Sequence, residues 1–195
     1  MEERDVLEIF ENTEALLEGH FLLSSGLHSS QYFQCARVLQ YPQYSEELAE
    51  DIAAHFQDVD ADFVISPAMG GLIIGHEVAR AMKTRFVFTE RSKENDQMVL
   101  RRGFDVEEGE KALIIEDVLT TGGSVREMIK LLQNEGVDIV GTGFIVDRSG
   151  NKVKFGVPKY SVYEIPVVVY EPDDCPLCKK GTPIDRPGSR KKKII

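Results

Sequence analysis

The chain lacks several features that would have fixed its class at once. It has no Gly-Lys-Ser/Thr triplet, so there is no Walker-type phosphate loop. Gly141 and Gly143 make a GxG inside an apolar run, but no third glycine follows at the required place, which leaves a dinucleotide fingerprint unsupported. No apolar run is long enough to suggest a membrane span. The N-terminus, MEERDVLEIF, is charged and reads as a helix start rather than a signal peptide. Positive charge is in deficit: 23 Lys and Arg against 33 Asp and Glu give a formal net charge of -10. That balance argues against general nucleic-acid binding, which needs a basic face. The one basic run, Arg190, Lys191, Lys192 and Lys193, reads as a solvated terminus. Cysteine is scarce and odd in number, at three, which suits a reducing cytoplasm better than a disulfide framework.

What is present alternates in period. Asp5 with Glu8 can cap a first helix carrying Val6, Leu7, Phe10 and Leu17 and stopping near Gly19. HFLLSSGLHSSQYFQC reads as short strands around a turn. Ser45 with Glu46 and Glu47 predicts the start of a second helix, with Leu48, Ile52 and Phe56 on one face. Phe63, Val64 and Ile65 form a short strand, the SPAMGG turn follows, and residues 72–82 form a helix. Further strands are expected at 86–88, 112–115, 139–146 and 161–170, the last including Val167, Val168 and Val169, with a possible hairpin arm at 98–104. Strands alternating with helices imply a mainly parallel central sheet covered on both faces, an α/β fold. Ligands then bind beyond the carboxyl ends of the strands.

Those ends carry the chemistry. In IIEDVLTTGGSV a buried-type strand runs into Glu116 and Asp117, then Thr120, Thr121, Gly122, Gly123 and Ser124, and a helix opens with Val125, Met128, Ile129 and Leu132 at i, i+3, i+4 and i+7. Free N–H groups at the turn and helix start suit a phosphate, and the two carboxylates suit vicinal sugar hydroxyls. The SPAMGG turn is a second place where backbone amides can meet an anion. The polar segment after Glu90, with Arg91, Lys93, Arg101 and Arg102, reads as a cationic lid. Arg148 offers a planar fork for a carboxylate or imide edge, or alternatively a partner for Asp147. Cys175 and Cys178 form a CPLC motif that supplies two thiolates; Cys35, His28 or a second subunit could complete a zinc site, and redox chemistry or plain reduced thiols are the other readings.

IIEDVLTTGGSV resembles the phosphoribosyl-pyrophosphate motif of type I phosphoribosyltransferases. GHFLLSSGLHSSQYFQ, SPAMGG and IVDRSG narrow the resemblance to the orotate branch of that family, over almost the whole chain and including a terminal CPLC segment seen in one group of it. The resemblance implies a type I phosphoribosyltransferase fold, a single domain over residues 1–180 with a small hood at about 1–40, a flexible lid at about 90–110, and a tail at 181–195. It implies transfer of a phosphoribosyl group from phosphoribosyl pyrophosphate to orotate in pyrimidine biosynthesis, with Mg2+ held mainly by substrate and water. Asp117, Glu116, Arg91 and Lys93 would be the catalytic group. Glu116, Asp117, Val118, Leu119, Thr120, Thr121, Gly122, Gly123, Ser124 and Arg148 would bind substrate. A cytoplasmic homodimer is implied, with the lid reaching the neighbouring subunit, and no nucleic-acid or membrane partner. The lid has no histidine, and Ser24 and Gly70 stand where the family commonly has lysines. A purine enzyme would share the sugar motif with a different base pocket, against which Arg148 and the Ser25 to Ser30 segment argue. A non-catalytic sensor would be expected to add a DNA-binding domain or a basic RNA face, and neither is evident.

Overall fold

The computed structural model describes residues 1–23, 26–165 and 168–187. Ser24, Ser25, Val167 and the basic run at 190–193 therefore lie outside the described residues. In chain order the elements are α1 (Glu3–Asn12), β1 (Leu16–Leu22), β2 (His28–Phe33), α2 (Ala36–Leu39), α3 (Pro42–His55), β3 (Phe63–Pro67), α4 (Leu72–Met82), β4 (Arg85–Arg91), β5 (Met98–Leu100), β6 (Lys111–Leu119), α5 (Gly123–Asn134), β7 (Asp138–Asp147), β8 (Lys159–Glu164), β9 (Val169–Tyr170), a 3-10 turn (Pro172–Asp174) and α6 (Pro176–Lys179).

Six strands form the main sheet in the order β5-β4-β3-β6-β7-β8, parallel throughout except for the antiparallel edge strand β5. Because side chains alternate faces along a strand, the apolar run in β6 divides between two cores. Leu113 and Ile115 join Val64 and Ile145 under α1, α3 and α4, while Ala112 and Ile114 join Phe63, Ile65 and Phe144 under α5. Both faces are thus covered, as the unbroken apolar strands require. β1, β2 and β9 form a separate antiparallel sheet, the hood.

Several boundaries differ from the sequence reading. The first helix ends at Asn12, without a capping side chain at its start, rather than running to Gly19. Thr13 turns its hydroxyl back to the Ile9 carbonyl at 2.7 Å, and Glu14 takes a positive φ of 49°. Leu17 then pairs with Tyr32 in the hood instead of continuing the helix. α3 starts at Pro42, whose fixed φ suits a first helical position. Ser45 is consequently inside the helix and buried, with its hydroxyl 3.3 Å from the Leu39 and Tyr41 carbonyls. The strand expected at 161–170 is two pieces serving two sheets, β8 in the main sheet and β9 in the hood. A proline, Pro166, stands between them in the sequence and cannot donate a ladder bond. The hairpin arm is shorter than expected: Met98, Val99 and Leu100 pair with Arg91, Glu90 and Thr89.

Candidate active site

The parallel strands end level with one another. Pro67 of β3 pairs with Thr89 of β4, Leu119 of β6 pairs with Asp147 of β7, and the Arg148 N–H donates to the Leu119 carbonyl at 2.8 Å. At this edge lies an open cleft of about 320 Å³ lined by Pro67, Ala68, Met69, Gly70, Gly71, Glu90, Arg91, Met98, Glu116, Asp117 and Ser124. It joins the SPAMGG turn, the acidic pair and the start of α5, as the sequence reading expected.

The two acids lie within β6 rather than beyond it, so they diverge to opposite faces. Glu116 faces the α5 side, where the Ser124 hydroxyl and Arg91 hold its pKa down. Burial, and then the charge of Asp117, outweigh them and push the Glu116 carboxyl up to about 8. Asp117 faces the hood side and is itself raised by burial, although the Val118 N–H donates to its Oδ1 at 2.9 Å. A Cβ built on Gly70 would come within 2.7 Å of Asp117 Oδ2, so only glycine fits against that carboxylate as the turn stands. The lysine that the family commonly has there would require the turn to shift.

α5 begins at Gly123, and its first intrahelical bond runs from the Arg126 N–H to the Gly122 carbonyl. The N–H groups of Gly123, Ser124 and Val125 thus have no acceptor within the helix, which leaves a donor cluster for an anion. Gly122 has a φ of 74°, and a Cβ there would lie 2.9 Å from Phe155 and Val153 side-chain carbons. The loop therefore needs glycine for both its turn and its packing. Val118 packs against one core and Leu119 is buried in the other, so these two offer a ligand only their backbone. Thr120 is half-buried and Thr121 exposed; neither lines the cleft, nor do Gly122 and Gly123.

Arg91 closes one side of the cleft. Its guanidinium is bidentate to Glu127 of α5, at 2.9 and 3.0 Å, and also donates to the Asp96 carbonyl. Lys93 sits exposed in the turn between β4 and β5 and does not line the cleft. Arg102 pairs with Glu90 at 2.8 Å through two of its nitrogens.

Arg148 is buried outside the cleft lining. Its Nη2 donates to the Gln31 carbonyl of β2 at 2.8 Å, its guanidinium lies 6.0 Å from the Tyr32 ring centroid, and its Nε is buried with no partner among the described residues. The alternative pairing with Asp147 is not made: Asp147 is buried in an ion pair with Lys159 and accepts from the Ser149 N–H at 2.7 Å. Tyr32 and Cys35 feel both Asp117 and Arg148. Burial and then Asp117 raise the pKa of each, and Arg148 opposes the rise. Asp117 is therefore shared between the cleft and a second, hood-side group made by Arg148, Tyr32 and Cys35. The sequence reading named neither Tyr32, although it lies inside the quoted hood segment, nor Glu127, for which no motif gave a signal.

A model of the phosphoribosyl transferase domain matches residues 37–176. The chain belongs to the phosphoribosyltransferase family. Orotate phosphoribosyltransferase of Caldanaerobacter subterraneus subsp. tengcongensis is 51% identical over 191 residues, covering 98% of this chain and 100% of that protein, and the chain groups with these orotate members. The crystal structure of orotate phosphoribosyltransferase from Aeropyrum pernix superposes with a TM-score of 0.69 at 26% identity, covering 82% of this chain and 93% of that one. Adenine phosphoribosyltransferase from Thermoanaerobacter pseudethanolicus gives a TM-score of 0.60 at 18% identity over 69% of this chain and 88% of that one, a likeness of fold alone. The fold is thus shared between enzymes for different bases.

Proposed function

We propose that this protein transfers the 5-phosphoribosyl group of phosphoribosyl pyrophosphate to orotate, giving orotidine 5-monophosphate and pyrophosphate in pyrimidine biosynthesis. The observation that carries the reading is the position of Asp117, between an anion-binding cleft on one side and the Arg148 group on the other. The start of α5 and the residue 120–124 loop take the 5-phosphate, using free amides and the positive end of the helix dipole. Asp117, supported by Glu116, accepts from the ribose hydroxyls and steadies the sugar as positive charge develops at the anomeric carbon. The SPAMGG turn and Arg91 receive the departing pyrophosphate, with Lys93 brought in by closure of the hairpin. Arg148 holds the polar edge of orotate through its unpartnered Nε face, and the ring nitrogen displaces pyrophosphate with inversion. Catalysis is then chiefly positioning and charge neutralisation.

Two neighbouring carboxylates, both raised by burial and Glu116 further by the charge of Asp117, fit a hard dication nearby. Mg2+ would be held mainly by pyrophosphate and ribose oxygens and by water, with Asp117 and Glu116 beside it, and would supply neutralisation of the leaving group. We also take residues 1–180 as one catalytic domain with a hood at 1–40, a lid at 90–110 and a tail at 181–195, working as a cytoplasmic homodimer whose lid reaches the partner's site. No helix among the described residues is long and apolar enough to cross a membrane.

The test is turnover of a panel of bases with phosphoribosyl pyrophosphate and Mg2+, on the wild type and on Arg148→Ala. The wild type should use orotate. Removing charge-assisted bonds of roughly 1.5–3 kcal/mol should cut orotate use by about 10- to 100-fold, while calorimetry shows phosphoribosyl pyrophosphate still binding. Use of adenine or hypoxanthine instead would sink the orotate reading. Loss of both ligands in the variant would make Arg148 a structural residue.

A further inference from the structure

Away from the cleft, four side chains with no part in the proposed reaction converge beneath the hood: His20 of β1, His28 of β2, Cys175 just before α6, and Cys178 within it. Their ligand atoms all lie within 4.8 Å of one another. His20 Nε2 is 2.9 Å from His28 Nδ1, 3.5 Å from Cys175 Sγ and 3.8 Å from Cys178 Sγ, and Cys178 Sγ is 3.3 Å from His28 Nδ1. A tetrahedral zinc ion with ordinary Zn–N and Zn–S bonds separates its ligands by roughly 3.3 Å for two nitrogens, 3.5 Å for nitrogen and sulfur, and 3.8 Å for two sulfurs. The four separations given above lie within about 0.5 Å of those values, and the remaining two are no more than 4.8 Å.

The second ring nitrogen of His20 strengthens the case. Its Nδ1 lies 2.8 Å from the Thr182 carbonyl, which can only accept, so the proton resides on Nδ1 and the Nε2 lone pair points into the cluster. A backbone carbonyl in this role is the usual outer support of a metal-bound histidine. Cys35, which the sequence offered as a possible fourth ligand, stands apart in the core beside Val38 and Leu39 and in the field of Asp117 and Arg148. His20, 155 positions from Cys175, is the ligand that the sequence did not single out.

We propose that His20, His28, Cys175 and Cys178 hold a structural zinc ion, a site independent of the transfer reaction. Two thiolates and two imidazoles in a closed set of four favour zinc over magnesium or calcium, and leave no open position for chemistry. The ion ties the C-terminal segment to the first two hood strands. Around it the same join is made by hydrogen bonds from the Asp185 N–H to the His20 carbonyl at 2.7 Å and from the Leu22 N–H to the Asp185 carbonyl at 2.9 Å, and by the pairing of His28 with Tyr170. The hood sheet is small, and a metal is a common staple for such an element. β2 also carries Gln31, whose carbonyl holds Arg148, so the ion braces the wall on which the base would lie.

The test uses the full chain, purified without a polyhistidine tag or chelator. Elemental analysis should give a zinc-to-chain ratio near unity, and cobalt exchanged into the wild type should show thiolate-to-cobalt charge transfer with the intense visible bands of a tetrahedral site. Cys178→Ser and His28→Ala should lose the metal, while Cys35→Ser keeps it. Chelation of the wild type should lower Tm, and zinc but not magnesium should restore it. The cobalt spectrum and the chelation melt need no variant, so a misfolded variant does not block the test. Zinc-free wild type with free thiols, or a Cys175–Cys178 disulfide trapped by alkylation without reductant, overturns the proposal.

Discussion

Glu116 is where the physics of single residues is most exposed. Its carboxyl is raised from 4.5 to about 8, by burial first and by Asp117 second. The folded chain therefore holds this proton over a pH range in which the unfolded chain has lost it. Stability associated with Glu116 is complete below the ordinary carboxylate range and declines as pH rises toward 8. Glu116→Gln removes that dependence, so the difference in Tm between variant and wild type should grow from pH 5 to pH 8 and level off above. Parallel melting curves over this range would show that Glu116 ionises freely. Asp117 and Arg148 were readable in the sequence because a buried-type strand seldom ends in an acid pair or an Arg without a reason. Tyr32 and Glu127 were not, since each matters through a contact between residues distant in the chain.

Among the elements, the start of α5 carries the strongest local constraint. Gly122→Ala places a Cβ at a left-handed φ and against Phe155 and Val153. The conformation alone costs roughly 1–2 kcal/mol, and the crowding adds to it. For a chain of this size the conformational cost alone should lower Tm by about 2–8 °C in thermal melts, and the crowding adds to that. KM for phosphoribosyl pyrophosphate should rise with it, because the helix start is displaced. Gly123→Ala is the control: its nearest contact is 3.8 Å, to Thr121 Oγ1, and its φ is ordinary, so it should melt like the wild type. Strands and helices around this loop were legible because their periods differ and both are regular. Their ends were less so. Pro42 overrode the Ser-Glu-Glu signal at α3, and the division of the 161–170 segment between two sheets depends on which neighbours lie nearby, which no local pattern encodes.

For the whole molecule, the doubly covered sheet followed from alternation of strands and helices, whereas the hood depended on pairing β9 with β2 across most of the chain. The subunit arrangement has its own test. Co-expressing differently tagged Asp117→Asn and Lys93→Ala chains yields mixed dimers. If the lid crosses the interface, one site in each mixed dimer has an intact acid and an intact lid, and purified mixed dimers should exceed both parent variants in activity. If each lid serves its own chain, no site is intact and activity stays at the level of the parents. The bidentate pair between Arg91 and Glu127 bears on what such a site admits. An arginine already bridged to a carboxylate is not free for every passing anion. Inorganic phosphate must displace two charge-assisted bonds and offers few others in return, whereas a sugar diphosphate engages the helix start and the SPAMGG turn as well. The resting ion pair thus withholds Arg91, though not the free amides at the start of α5, from small anions that cannot make those further contacts.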